Sequence, residues 1–283
     1  MRKKFSAAIL TIGFFLTASM ASAAFVESWS YSTDGVFIKW IDTNNNVEQM
    51  NGNTVQGSNS ITQTSADSLQ WYNAVTDSVD TTYGYKTLTW GSPATSAGSS
   101  SLTLGKVDGV GTLMTNGASV DAMSISHTNQ PVYAPALKSG SVFANLALTP
   151  NLPAGSPLPV FSTVLEFDFY ETTNTGLYQS DIFFLKNPLD TVASFVYEDF
   201  IYTFAFRGFE KIEGAYYTKL IQDGFITANQ EVWGWITPEG GTNLLKTSLE
   251  ISARPVVPEP STMLLLGAGL LGLGAIARRR RAN

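Results

Sequence analysis

The chain has 283 residues, with 17 Lys and Arg against 23 Asp and Glu, one His and no Cys. Its net charge of −6 argues against a nucleic-acid partner, because an acidic surface repels phosphates. Lacking Cys, it has no disulfide, no thiol nucleophile and no Cys-ligated metal, so packing alone must hold the fold. The charge is uneven along the chain. Residues 24–257 carry ten Lys and Arg against twenty-two Asp and Glu, a formal −12, and the other basic residues sit at the two ends.

Met1-Arg2-Lys3-Lys4 opens the chain, an apolar run follows from Phe5 to about Met20, and Ala21-Ser22-Ala23 closes it. A positive head, a short apolar middle and a small-residue exit predict a signal peptide over residues 1–23, with signal peptidase cutting before Ala24. The body, 24–257, is long enough for one large β domain.

Thr, Ser, Gly, Asn, Phe and Tyr dominate the body, and these are strand and turn formers. Strands are predicted at 36–41, 84–90, 119–126 and 142–148, where Val142, Ala144, Leu146 and Leu148 share a face. A short helix is predicted near Ser65–Ala74, with Ser65 as its N-cap. In 160–170, Phe161, Leu165, Phe167 and Phe169 lie on one face and Glu166, Asp168 and Tyr170 on the other. Further strands are predicted at 181–185, 192–197, 200–206, 215–221, 231–236 and 245–251. Period-two alternation in short runs, punctuated by Gly, Asn and Pro clusters, predicts an all-β fold, a β-sandwich of jelly-roll type in one domain.

Beyond Val257 the chain reads Pro258-Glu259-Pro260, then Ser261-Thr262, an apolar run from Met263 to Ala277, and Arg278 to Arg281. Proline cannot continue a helix upstream, so one transmembrane helix is predicted over 261–277. The arginines 278–281 stay cytoplasmic, which leaves the body on the far side of the inner membrane.

Little in the body has the composition of an active site. A single His without Cys cannot build a histidine cluster for zinc, and neither H-E-x-x-H nor G-x-S-x-G occurs. Asp42-Thr43-Asn44-Asn45-Asn46 opens like an oxygen-rich calcium loop. Val47 and Asn53 then stand where such a loop needs Gly and a bidentate Glu, so an Asn-rich hairpin turn is expected. No cofactor and no metal are therefore predicted, although a calcium site of another kind stays open. Carboxylates occur in three pairs, Glu166 with Asp168, Glu198 with Asp199 and Glu210 with Glu213; Glu166 and Asp168 share a strand face at a separation that glycoside hydrolysis could use and that any solvated strand face also shows. Trp233-Gly234-Trp235 puts two rings on one face, which suits a core or a sugar platform.

Residues 258–283 resemble the PEP-CTERM sorting signal of Gram-negative bacteria: Pro258, Glu259 and Pro260, an apolar helix and a basic cluster, in that order. The resemblance implies recognition by an exosortase in exopolysaccharide-producing, biofilm-forming bacteria. Within the body, Ser126-His127-Thr128-Asn129 resembles the Thr-His-x-Asn motif of THxN-type PEP-CTERM proteins, with Ser in place of Thr. Trp90-Gly91, Ser101-Leu102 and His127-Thr128-Asn129-Gln130-Pro131 follow in the order seen in the related choice-of-anchor K domain. Ser126, His127 and Asn129 are thus family-motif residues, expected to act in a strand-to-turn junction rather than in catalysis.

These readings point to an exported, non-enzymatic protein. Its precursor is anchored in the inner membrane and then sorted to the cell surface or extracellular matrix, with exopolysaccharide as a candidate partner. The rivals are a carbohydrate-binding module and a glycoside hydrolase.

Overall fold

The computed structural model describes residues 25–172, 179–186, 193–256, 269–270 and 278. The signal segment 1–23, the Pro258-Glu259-Pro260 motif, and most of the 261–277 helix and 278–281 cluster lie outside these residues. Among the described residues no helix is long and apolar enough to cross a membrane.

The body is all-β, as its alternation requires. In chain order the first strands are β1 (Ser28–Asp42), β2 (Val47–Asn51), β3 (Thr54–Gly57), β4 (Thr62–Asn73), β5 (Ser78–Trp90) and β6 (Ser92–Pro93). Then come β7 (Ser100–Gly105), β8 (Val107–Met114), β9 (Val120–Asn129), β10 (Val132–Tyr133), β11 (Leu137–Leu152) and β12 (Phe161–Tyr170). The last are β13 (Ser180–Leu185), β14 (Ala193–Tyr197), β15 (Phe200–Arg207), β16 (Glu210–Lys211), the helix α1 (Gly214–Gln222), β17 (Trp233–Pro238) and β18 (Gly241–Pro255).

The expected pair of packed sheets is replaced by one 16-stranded antiparallel sheet that curls into a half-barrel. Its main path runs β14-β15-β18-β9-β7-β5-β1-β11-β12-β13-β17-β16. Strand β1 shows how the curl arises. One edge pairs with β11 along nearly its whole length. The other edge pairs with β8 over Ser28–Thr33 and with β2 over Lys39–Ile41. Register shifts at Ser28/Trp29, Phe37/Lys39 and Ile41/Asp42 let the strand bend between these partners, as bulges do.

Two predicted elements change class. Residues 62–73 form strand β4 instead of a helix, and Ser65 takes a positive φ of 58° rather than capping anything. Pairing with the full length of β5 outweighs the local helix propensity there. Residues 215–221 form α1 instead of a strand. The apolar positions Tyr216, Tyr217, Leu220 and Ile221 recur at helical spacing, and the face they make covers Ile182 and Phe184 of β13.

The main core gathers Phe37, Trp40, Leu88, Trp90, Leu102, Ile125, Phe167, Phe169 and Phe183. A second core is built around Trp29, Leu113, Leu148, Tyr202, Phe204 and Leu249. Strand β13 is covered on both faces: Ile182 and Phe184 meet α1, while Phe183 and Leu185 meet the main core. Asp181 shares the parity of Phe183, so the sheet geometry carries a carboxylate into the interior.

Candidate functional site

At one end of the curled sheet, five strands bring polar side chains together in an otherwise apolar interior. Strand β9 alternates Met123, Ile125, His127 and Asn129 inward. Trp90 ends β5, Glu171 follows the last residue of β12, Asp181 is the second residue of β13, Thr237 is the last but one of β17, and Glu239 follows that strand. His127, Asn129, Asp181 and Thr237 are all fully shielded from solvent.

Trp90 stacks on the imidazole of His127, with ring centres 5.8 Å apart and planes 21° from parallel. Phe169 meets the same imidazole edge-on at 5.1 Å. Gly91, at φ 78°, turns the chain directly after Trp90; a Cβ there would lie 2.5 Å from Val132, so only glycine fits.

The hydrogen bonds follow a consistent pattern. The Thr237 hydroxyl donates a long bond of 3.4 Å to the Asp181 carbonyl oxygen. Its oxygen is therefore left to accept from His127 Nδ1–H at 2.6 Å. Burial then favours the neutral ring, which leaves Nε2 with its lone pair. Nε2 lies 3.9 Å from Asp181 Oδ2. Asp181 Oδ1 accepts from the Thr172 backbone N–H at 2.8 Å and from its hydroxyl at 3.2 Å. Asn129 Nδ2 donates to the Thr237 carbonyl at 3.0 Å. Trp90 Nε1 donates to Glu171 Oε2 at 2.7 Å.

In His127, Asn129, Asp181 and Glu171 one atom is fixed and another is left over. His127 Nε2, Asn129 Oδ1, Glu171 Oε1, Asp181 Oδ2 and both carboxylate oxygens of Glu239 are buried without a hydrogen-bond partner. Such atoms are uncommon in folded proteins, and six in one cluster require a cause.

The electrostatics follow from burial. Desolvation lowers the pKa of His127 to about 3, which keeps the ring neutral. Desolvation also raises the pKa values of Asp181, Glu171 and Glu239. The charge of Asp181 pushes Glu171 further up, and that of Glu239 pushes up both Glu171 and Asp181. No Lys or Arg among the described residues forms an ion pair with any of the three.

The motif residues divide by strand parity. His127 and Asn129 enter the cluster, while Ser126 lies on the opposite face of β9, between Thr103 of β7 and Leu244 of β18. The carboxylate pairs expected from sequence lie elsewhere: Asp168 pairs with Lys186 at 2.8 Å, and Glu213 approaches Lys211 at 3.5 Å. Trp235 packs against the main core, and Trp233 is partly exposed beyond it. In the Asp42 turn the protein itself supplies donors to the carboxylate. Its carboxylate accepts from the backbone N–H groups of Asn44 and Asn46, from Asn46 Nδ2 and from Ser60 Oγ. Burial opposes its charge, yet these donors hold its pKa below the usual carboxylate range.

Glu171, Asp181 and Glu239 were not among the candidates read from sequence, because they are distant in the chain and meet only through sheet topology. The one local signal is Asp181, a charge at the head of the apolar run Ile182-Phe183-Phe184-Leu185.

Comparison with known families matches residues 256–281 to the PEP-CTERM protein-sorting motif. That motif implies an exported, cell-envelope-sorted protein recognised by an exosortase. No curated protein matches the chain.

Proposed function

We propose that the chain is a non-enzymatic, exported protein whose β body is delivered by its tail to the cell surface or the extracellular matrix. The sorting motif at residues 256–281 is the observation that carries this reading. The N-terminal signal pattern and the arginines after the apolar run agree with it, since both place the body outside the cytoplasm. Signal peptidase and an exosortase are the processing partners, and the precursor is held in the inner membrane by the 261–277 helix.

The burial of the His127 cluster supports a body without catalysis. Thr237 and Asp181 lie at opposite nitrogens of His127, but Nδ1 donates to the Thr237 hydroxyl oxygen and so is not placed to take its proton as a base would. Both the hydroxyl and the imidazole are closed to solvent, so no substrate reaches them as the body stands. A relation to the THxN and choice-of-anchor K proteins is supported by the convergence of their motif positions. Trp90 stacks on His127, and Leu102 is the direct strand partner of His127.

The test is fractionation of the native host with an epitope tag in the body. The stretch 150–159 is a poor insertion site, because Gly155 and Leu158 donate back to Pro150 and Leu148. Val75 is almost fully exposed in the β4–β5 turn and suits a tag better. Tagged protein should leave the membrane fraction in wild-type cells and accumulate there when the exosortase is deleted.

A further inference from the structure

We propose that His127, Asn129, Glu171, Asp181 and Glu239 form a buried site for a divalent cation that accepts both imidazole nitrogen and carboxylate oxygen, of the Mn2+ or Zn2+ type. Six buried atoms of these residues have no hydrogen-bond partner. They comprise one imidazole nitrogen, one amide oxygen and four carboxylate oxygens, all of them electron-pair donors to a cation and none of them able to satisfy another without a proton. His127 Nε2 and Asp181 Oδ2 stand 3.9 Å apart with nothing between them that donates. Two metal–ligand bonds of about 2.0–2.2 Å each span that gap, so one ion reaches both atoms.

The second observation is how the other end of each group is held. His127 Nδ1 is fixed by Thr237, Asn129 Nδ2 by the Thr237 carbonyl, Asp181 Oδ1 by Thr172 and Glu171 Oε2 by Trp90. Metal ligands are oriented in this way: an outer partner fixes one atom and leaves the other aimed at the ion. Three carboxylates buried together without a basic partner would otherwise have to take up protons to stay neutral.

Among the described residues no three His, Asp or Glu groups are already drawn into a metal-holding arrangement. The site therefore closes when an ion enters. Glu239 follows the end of β17, is only partly buried and is the carboxylate that can swing in, while Glu171, which follows β12, keeps its bond to Trp90. His127, Asn129 and Asp181 lie within strands and form the fixed half. An imidazole in the donor set favours Mn2+ or Zn2+ over Mg2+, which also gives up its waters reluctantly.

The test uses the full chain purified in detergent, stripped with chelator, and titrated with Mn2+, Zn2+, Ca2+ and Mg2+. Metal content is read by mass spectrometry and stability by thermal melting. About one Mn2+ or Zn2+ per chain, with a raised Tm, is expected. Glu239→Gln, on the partly buried side, should fold normally and bind at least about tenfold more weakly. Asp181→Asn should lose the metal-dependent rise in Tm while melting no lower than wild type without metal, since one buried negative charge is gone. Asp168→Asn, whose partner is Lys186 outside the cluster, should bind as wild type does. A stripped chain that binds none of the four ions, and whose Tm none of them moves, would show that protons alone neutralise the cluster. Equal binding by wild type and Glu239→Gln would overturn the assignment of the ligands.

Discussion

His127 Nε2 and Asp181 Oδ2 face each other across 3.9 Å with both side chains fully buried, and neither atom has a hydrogen-bond partner. This pairing makes the pH dependence of stability a direct readout of the cluster. In metal-free protein, burial pushes Asp181 up to about 7 and Glu171 up to about 9. A carboxyl whose pKa is higher folded than unfolded contributes stability at low pH and loses it as pH rises through its folded value. His127, lowered to about 3, works in the other direction and loses its contribution as pH falls from about 6.5. Urea melts in chelator should therefore show stability falling from about pH 4.5 to 9, with His127 offsetting part of the fall below about 6.5. Glu171→Gln should flatten the alkaline part of that fall. A profile that is flat from pH 6 to 9 would contradict the burial of ionisable carboxyls.

His127→Ala should destabilise the body by roughly 2–4 kcal/mol, because it removes a buried hydrogen bond and the stack on Trp90 and leaves a void. Urea melting at neutral pH measures this. An unchanged midpoint would remove His127 from the structural account.

Within the motif, position decides the outcome. Ser126→Ala should change stability by no more than about 0.5 kcal/mol, since Ser126 lies on the outer face of β9. Asn129→Ala should cost about 1–3 kcal/mol, because it strips the Thr237 carbonyl of a buried donor. Equal effects at the two positions would contradict the parity of the strand.

Much of the architecture was legible in the alternation of apolar residues. The inward face of β12 was readable as Phe161, Leu165, Phe167 and Phe169, and all but Phe161 are buried. Residues 215–221 misled because two adjacent tyrosines suit a strand as well as a helix, and only the docking of Leu220 beneath β13 decides. The sheet's closure into a half-barrel was not readable, since it depends on bulges in β1 that have no local signature. For the same reason the site was half visible. His127 and Asn129 stand in one motif, whereas Asp181, Glu171 and Glu239 come from strands that become neighbours only in the folded sheet.

Asp42→Ala should cost about 1–3 kcal/mol, because it leaves four protein donors without their shared acceptor. Added Ca2+ should not rescue wild-type or variant turns. Calcium-dependent protection of residues 42–46 in hydrogen exchange would contradict this.

The central claim is that the tail sorts this body out of the inner membrane. The most direct measurement follows the Val75-tagged chain through inner-membrane, surface and medium fractions in hosts with and without the exosortase, beside a Pro258→Ala, Glu259→Ala, Pro260→Ala triple variant. The account predicts a shorter, membrane-free form that depends on both the enzyme and the motif. Identical size and fractionation in all strains would contradict it.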